Sequence, residues 1–242
     1  MELDVHPRLV LPGQGEVLNE TEGRWTEILC DAEELVVSLF RRAGGIPGPD
    51  LHVHREHADA FYVLEGTLVV PLGPDAQPEH VAAGSLALAP PLVAHAFRMD
   101  AGAVALLNVH APGLGFGDYL RGTNERFDQE EPPPGGGRPR TDAVLGSAVE
   151  RDEPGLRVVR HADEPQLAAT EVVRAPAADA PPETDDRRLG VYVLEGTLLL
   201  EAGGREHVAP AGSWLDVPAG LPHALRAHGG AGVRTLELHV PV

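Results

Sequence analysis

The sequence predicts an all-β protein made of two tandem copies of one β-barrel domain. First, 28 of the 242 residues are glycine and 23 are proline. This content predicts frequent turns and few long helices, because proline lacks a backbone donor and glycine costs backbone entropy. Second, turn residues recur every eight to twelve positions between short apolar runs, a spacing typical of an all-β barrel or sandwich. Third, the chain repeats itself in sequence.

The internal repeat consists of three blocks that recur in the same order. The first block, Tyr-Val-Leu-Glu-Gly-Thr-Leu, is identical in both copies. The offsets between the copies are 130, 128 and 129 residues, so only small loop changes separate them and a duplicated domain is predicted. The matched blocks are 62–68 with 192–198, 84–90 with 212–218, and 107–112 with 236–241.

A segment rich in acidic residues, proline and glycine separates the two copies. Residues 128–137 read Asp-Gln-Glu-Glu-Pro-Pro-Pro-Gly-Gly-Gly, a composition that buries little apolar area and favours extended or flexible chain. We therefore predict a first domain at residues 1–127, a linker at 128–151 and a second domain at 152–242.

Three apolar runs in the first copy are predicted to form strands. Residues 60–70 are rich in aromatic and branched side chains and are interrupted by Glu65 and Gly66. Residues 85–88 form a shorter run with a proline soon after its end, where a strand tolerates one, and residues 103–109 form the third run. A single short helix is predicted over residues 115–127.

The formal net charge of −18, with histidines neutral, excludes two classes of partner. Nucleic acids and anionic membrane surfaces attract clustered lysine and arginine, so we predict that the protein binds neither. No apolar run is long enough to span a membrane, and the N-terminal residues lack signal-peptide character, which predicts a cytoplasmic protein. The single cysteine, Cys30, lies in an apolar run and is predicted to be a buried thiol.

Three histidines and one aspartate in the first copy have the spacing of a metal site. His52 and His54 are one residue apart, which on a strand directs both imidazoles to one face. Asp59 can add a carboxylate from the same segment, and His95 comes from a distant strand. Imidazole and carboxylate ligands together suit Fe(II), Mn(II), Ni(II), Co(II) or Zn(II).

The same residues resemble the two sequence motifs of the cupin superfamily, each a histidine-containing segment with fixed glycine or proline positions. The chain matches the motifs at His52, His54, Asp59 and Gly66, and at Gly84, Pro90 and His95. The resemblance implies two tandem cupin (jelly-roll) barrels. It also implies one divalent transition-metal ion per chain, held in the first barrel by His52, His54 and His95 together with Asp59.

The chain departs from the cupin motifs at positions that matter for the site. Asp59 replaces the usual glutamate and is one methylene shorter. Three alternatives stay open for it: direct binding through a shifted backbone, binding through water, and a place behind the ligands. Leu92 stands in place of a turn glycine and Met99 in place of an asparagine. Glu56 is an alternative carboxylate ligand, whereas His57 is expected to be exposed.

The second copy lacks most of the corresponding ligands. A shift of 130 residues places Pro182, Thr184 and Leu189 opposite the two paired histidines and the aspartate of the first copy. Only His223 remains of the set. The second barrel is therefore predicted to be metal-free, and the neighbouring aspartates at 185–186 are interpreted as a solvated turn.

The duplication also serves as an internal control for His110, which matches His239 in the copy without the metal motif. A residue that is present in both copies is more simply assigned to the fold, so neither histidine is included among the predicted ligands. Asn108 is less clear, because its counterpart is Glu237.

The leading functional hypothesis is a metal-dependent oxidoreductase of the dioxygenase type, because bicupins of this kind resemble quercetin dioxygenase-like proteins. Phe61, Val63 and Phe97 fall on the same strand face as Asp59 and His95, which predicts an apolar pocket for a small apolar or phenolic substrate.

Two alternatives remain from the sequence. One is a non-catalytic cupin that binds a small molecule. The other is a cupin-type sugar isomerase, whose phosphate would need lysine or arginine near the pocket, where few are obvious. The resemblance also implies a homodimer, since cupins often pair through their barrels.

Overall fold

The structure, a computed structural model, describes residues 6–100, 102–124, 127–139, 146–176, 178 and 180–242. These residues are almost entirely β-structure, with one short helix among them. In chain order the elements are β1 (Arg8–Val10), β2 (Glu16–Thr21), β3 (Arg24–Asp31), β4 (Val36–Arg42), β5 (Ala58–Glu65), β6 (Thr67–Leu72), β7 (Gln77–Ala82), β8 (Leu86–Ala89), β9 (Val104–Ala111), α1 (Phe116–Arg121), β10 (Ala148–Glu153), β11 (Leu156–Asp163), β12 (Ala168–Arg174), β13 (Arg188–Glu195), β14 (Thr197–Ala202), β15 (Arg205–Pro210), β16 (Trp214–Val217), β17 (His223–Ala227) and β18 (Val233–Val240).

The chain divides into two compact units. The first unit is Glu16–Gly146, and the second is Ser147–Val242 together with the described part of Met1–Gly15. No helix within the described residues is both long and apolar enough to span a bilayer.

The first unit contains an antiparallel sheet in the order β2-β3-β4-β9-β5-β8 and a hairpin of β6 and β7. Its core is apolar, because alternate side chains of these strands point to the same side. Phe61, Leu68, Leu72 and Leu106 are among the buried residues of this core. The second unit has a sheet in the order β1-β16-β13-β18-β12-β11-β10 and a three-stranded sheet β15-β14-β17.

The boundaries of the units differ from the predicted domains in two places. Strand β1 pairs with β16, so residues 8–10 complete the second unit although they precede the first. Part of the predicted linker belongs to the first unit, because Glu130 pairs with Val53 and Gly137 pairs with Val93. Residues 140–145 of that linker lie outside the described residues.

The three predicted strand runs of the first copy are present as β5 with β6, as β8 and as β9. The interruption between β5 and β6 is a tight turn at Gly66, whose φ of 81° lies in the left-handed region. A Cβ atom there would also collide with the carbonyl oxygen of Ala103. Cys30 is buried, as predicted.

The predicted helix at 115–127 is shorter in the structure, where it covers only Phe116–Arg121. It ends because Gly122 takes the left-handed conformation that commonly terminates helices. Residues 125 and 126 of the predicted range lie outside the described residues.

Candidate metal centre

The four predicted metal ligands come from three segments of the first unit. His52 and His95 lie side by side, because the backbone N–H of each donates to the carbonyl of the other, at 3.0 and 2.9 Å. His54 is two residues further along the first of these segments, and Asp59 is the second residue of β5. All four side chains are buried.

The structure brings these four side chains together. One potential ligand atom from each lies within 4.8 Å of the others. The Asp59 Oδ2 atom is 3.3 Å from His95 Nε2 and 3.8 Å from His54 Nε2. The Nε2 atoms of His54 and His95 are buried and have no hydrogen-bond partner among the described residues. Such buried polar atoms are costly unless something binds them.

The tautomer of each histidine follows from its other ring nitrogen. In each case Nδ1 faces a backbone carbonyl, which can only accept, so Nδ1 carries the proton and donates it. Each Nε2 therefore keeps a free lone pair, as a metal ligand requires. The acceptors are the carbonyl oxygens of Asp50 for His52 at 2.7 Å, Asp128 for His54, and Val93 for His95 at 2.9 Å.

Burial sets the charge of this cluster. Loss of solvent, and then the neighbouring His95, lower the pKa of His52 to about 4. Burial opposes ionisation of Asp59, but His110 and the imidazoles of His54 and His95 hold the pKa of its carboxyl well below the usual range. A neutral imidazole beside an ionised carboxylate is the combination that binds a divalent metal.

Two residues orient the Asp59 carboxylate from behind. The Asn108 amide donates to Asp59 Oδ1 at 2.5 Å, and His110 Nε2 lies 3.5 Å from the same oxygen. The Asn108 side-chain oxygen lies 3.2 Å from His110 Nε2 and accepts from it. Asp59 thus directs Oδ2 toward the histidines while Oδ1 is held by Asn108.

Sequence reasoning missed the placement of Asn108 and His110. In the register of β5 and β9, His110 lies directly opposite Asp59, and Asn108 lies opposite Phe61. Alternation along β9 alone indicates that both share a face, but only the strand register shows that Asp59 is on it. The counterpart His239 is different, because its Nδ1 pairs with Asp185 at 2.9 Å. The exclusion of His110 from the ligands stays a prediction.

The expectation that His57 is exposed is wrong, since it has 0% of its surface accessible. Its ring stacks on His54 with the ring centroids 3.9 Å apart, and Phe127 and Asp128 cover it, with Asp128 Oδ2 3.3 Å from His57 Nδ1. Glu56 is exposed, and its carboxylate is not part of the four-residue cluster.

Residues 127–130, which we call the covering segment, hold the loop that carries His54. Glu130 exchanges two backbone hydrogen bonds with Val53, at 2.9 and 3.0 Å. Its carboxylate accepts from Arg55 Nε and Nη2 at 2.7 and 2.6 Å. The Asp128 carboxylate accepts the backbone N–H of Arg55 at 2.8 Å. Residues predicted to form a linker therefore fix the position of a candidate ligand.

A cavity of about 400 Å³ opens beside the cluster and includes His52, His54 and Asp59 in its lining. Phe97 lines this cavity. Phe61 and Val63 were predicted to line it too, but they are wholly buried in the apolar core, where Phe61 packs against Phe97. The apolar lining residues include Phe40, Phe97, Met99, Phe116, Leu120 and Phe127.

The cavity also has a basic side, which the sequence did not reveal. Arg24 and Arg42 line it, although few basic residues were expected near the pocket. Neither belongs to a histidine motif, since both precede His52 in the sequence. Strand pairing of β3 with β4, and of β4 with β9, brings them to the cavity.

The structure corrects the predicted alignment of the second copy. Glu183 and His223 exchange the same two backbone hydrogen bonds as His52 and His95. Glu183, not Pro182, therefore corresponds to His52. The second copy has one residue fewer between this position and the strand that follows it. The same shift places Asp185, not Thr184, opposite His54.

Leu189 does correspond to Asp59, because Leu189 pairs with His239 in the second unit as Asp59 pairs with His110 in the first. Asp185 accepts from the Arg187 side chain at 2.9 and 3.1 Å, and this arginine outweighs burial and lowers the pKa of Asp185. Among the described residues, the two groups of three or more potential metal ligands both belong to the first unit; the second group consists of His54, His57 and His110.

Comparison with known proteins supports the fold. Residues 170–239 match the family described as "Cupin domain". No curated protein matches the sequence significantly. An oxalate decarboxylase variant from Bacillus subtilis is similar in structure, with a TM-score of 0.68 and 16% identity over 96% of this chain and 77% of that one.

Two further solved structures are similar. Oxalate decarboxylase from Lactobacillus farciminis, in a formate complex, has a TM-score of 0.68 and 11% identity over 100% of this chain and 87% of that one. A salicylate 1,2-dioxygenase mutant from Pseudoaminobacter salicylatoxidans, in complex with gentisate, has a TM-score of 0.69 and 12% identity over 99% and 83%. At these identities the likeness shows the fold, which is the predicted jelly-roll of the cupins.

Proposed function

We propose that the protein is a two-barrel cupin whose first unit binds one divalent transition-metal ion through His52, His54, His95 and Asp59. The observation that supports this proposal is the common arrangement of the three histidines. Each donates its Nδ1 proton to a backbone carbonyl, so three Nε2 lone pairs are available beside one buried carboxylate. The donor set suits Fe(II), Mn(II), Ni(II), Co(II) or Zn(II).

We further propose a dioxygenase-type oxidoreductase that acts on a small apolar or phenolic molecule. A divalent ion with four protein ligands would supply open coordination positions for a substrate oxygen and for O2. The protein contributes the orientation of the ligands, since Asn108 holds Asp59 by its Oδ1 atom. Phe97, Phe116 and Phe127 provide the apolar lining that packs on the substrate and excludes water from it.

A cupin-type sugar isomerase is the second candidate, because Arg24 and Arg42 line the cavity and arginine binds phosphate well. The dioxygenase is preferred because the rest of the lining is mainly aromatic and aliphatic, which suits a ring better than a sugar. A cupin that binds the same molecule without turning it over would share this geometry.

The test combines metal content with oxygen uptake. Protein loaded separately with each of the five metals is assayed in an oxygen electrode with a panel of phenols and phenolic acids. The expected result is substrate-dependent O2 uptake with at least one metal, and its loss in His95→Ala. Isomerisation of a sugar phosphate without O2 uptake would favour the second candidate. Binding of a phenol with no turnover under any metal would favour the non-catalytic cupin.

A further inference from the structure

Arg24 and Arg42 form a pair of like charges on the basic side of the cavity. They lie directly opposite each other in the register of β3 and β4, and both line the cavity beside the histidine cluster. Like charges at directly opposite positions of a sheet destabilise it. Burial, and then the charge of Arg24, lower the pKa of Arg42 to about 10, so Arg42 remains charged at neutral pH.

No carboxylate among the described residues compensates this pair. Arg42 donates only to neutral oxygens, the carbonyls of Trp25 and Arg41 and the Thr26 hydroxyl. Four other arginines of the same unit have acidic partners within 4.0 Å: Arg41 with Glu65, Arg55 with Glu130, Arg98 with Asp100, and Arg121 with Glu16. Arg42 is half-buried, and a cation that has lost part of its solvent is costly without a partner.

Arg42 has hydrogen-bonding capacity to spare. A guanidinium has five N–H donors, and its bonds to Trp25, Arg41 and Thr26 use two on Nη1 and one on Nη2. One donor on Nε and one on Nη2 remain. Arg55 uses this same pair of nitrogens to hold both oxygens of Glu130.

The second unit has a different charge arrangement at the corresponding positions. Its strand β12 ends at Arg174 as β4 ends at Arg42, and Arg174 pairs with Glu237 at 2.6 Å. The counterpart of Glu237 in the first unit is Asn108, which is uncharged. Opposite Arg174 the second unit has Leu156 where the first has Arg24. The first unit therefore carries one more positive charge and one fewer negative charge at corresponding positions.

We infer that the cavity of the first unit binds a ligand that carries a carboxylate, which Arg24 and Arg42 hold while the remainder lies along the apolar lining toward the histidine cluster. A carboxylate supplies the missing negative charge and two acceptor oxygens that match the free donors of Arg42. The cavity volume of about 400 Å³ is sufficient for a single substituted ring. The placement of the other end of the ligand at the metal rests on the proposed function, whereas the binding of the carboxylate by the two arginines does not.

The test measures binding of salicylate and benzoate to the metal-loaded full chain by calorimetry. The variants are Arg24→Gln and Arg42→Gln, and the matched control is Arg41→Gln, whose side chain pairs with Glu65 instead. We expect salicylate binding to weaken about tenfold to a hundredfold in the first two variants and to change less than twofold in the control. Glycerol phosphate, titrated in parallel, distinguishes a carboxylate site from a phosphate site.

Thermal melting adds a readout that a structural role would not produce. Arg24 is exposed and its charge repels Arg42, so Arg24→Gln is expected to melt no lower than the unsubstituted protein without ligand, while gaining less stability from salicylate. Arg42→Gln also loses the bonds to Trp25 and Thr26, so Arg24→Gln is the cleaner variant.

Equal salicylate affinity in Arg24→Gln and the unsubstituted protein would overturn the inference. Arginine-dependent binding of glycerol phosphate with no binding of either carboxylate would overturn the assignment to carboxylates. The metal proposal fails separately: if His95→Ala keeps its metal while Arg24→Gln weakens salicylate binding, the anion site stands and the metal centre does not. The reverse pattern leaves the metal centre and removes the anion site.

Discussion

His95→Ala and His223→Ala form a matched pair of substitutions, because they remove histidines from corresponding positions of the two units. Each Nδ1 donates to the carbonyl two residues earlier at 2.9 Å. The side chains are 1% and 3% exposed, and each backbone pairs with its neighbour in the same way. A purely structural role therefore predicts the same loss of stability from both substitutions.

The metal hypothesis predicts unequal effects. His95 Nε2 converges with Asp59, His52 and His54, so His95→Ala removes one of four ligands. Loss of a residue that only supports a ligand costs about tenfold to a hundredfold in metal affinity, so loss of the ligand itself costs at least about 1.4–2.7 kcal/mol.

Among the described residues, the carboxylate within 4.0 Å of His223 Nε2 is that of the exposed Glu183, at 3.7 Å. His223→Ala should leave the metal content unchanged and alter the free energy of unfolding by about 0.5–3 kcal/mol. The measurements are elemental analysis of both purified variants and thermal melting with and without a chelator. Chelation should lower the melting temperature of the unsubstituted protein and of His223→Ala, but hardly that of His95→Ala. Equal depletion in the two variants, or depletion in neither, would refute the assignment of the metal to the first unit.

Three further predictions follow, two on pH and one on a glycine. Acidification from about pH 6 to about pH 4 should release the metal, because imidazole binds it only when neutral; full metal content at pH 3.5 by elemental analysis would contradict three histidine ligands. The metal-free protein should lose stability as the pH falls over a similar range. Burial lowers the pKa of His52 to about 4 in the folded protein, whereas in the unfolded chain the pKa is near 6.5, so the unfolded chain binds more protons between these values. A denaturation midpoint that does not change with pH would argue against this prediction. Gly66→Ala should lower the free energy of unfolding by about 1–3 kcal/mol, because the left-handed φ of 81° strains any side chain; an unchanged urea midpoint would show that the turn can relax.

The fold could be predicted because its signals are local and duplicated. Alternation and turn residues mark β5, β6, β8 and β9 within short windows, and the second copy repeats them. The strand β1 could not be assigned to its unit, because three residues carry no information about a partner more than 200 positions away. Pairing of β1 with β16 depends on tertiary contacts alone.

The histidine cluster could be predicted from spacing, but its surroundings could not. The covering segment has the composition of a linker, and its role depends on long-range pairing of Glu130 with Val53 and Arg55. A shift of 130 residues does not hold near Glu183, because every matched block of the second copy lies after this residue and cannot reveal a single deletion in the loop before the first block. A slip of one residue changes which side chains face inward.

Asn108 connects the two candidate sites, and its substitution tests both. It donates to Asp59 Oδ1, and its counterpart in the second unit is Glu237, which neutralises Arg174. Asn108→Glu should therefore supply Arg42 with an internal carboxylate and place a second negative charge beside Asp59.

We expect Asn108→Glu to weaken both salicylate binding and metal binding about tenfold or more, since the guanidinium is occupied and Asp59 loses its donor. Asn108→Ala removes the donor without adding a charge, so it should weaken metal binding but keep the dependence of salicylate binding on Arg24. Calorimetry of salicylate and elemental analysis of both variants provide the comparison. If Asn108→Glu binds salicylate as tightly as Asn108→Ala does, then residue 108 does not control the charge of Arg42, and the correspondence drawn between the two units is wrong.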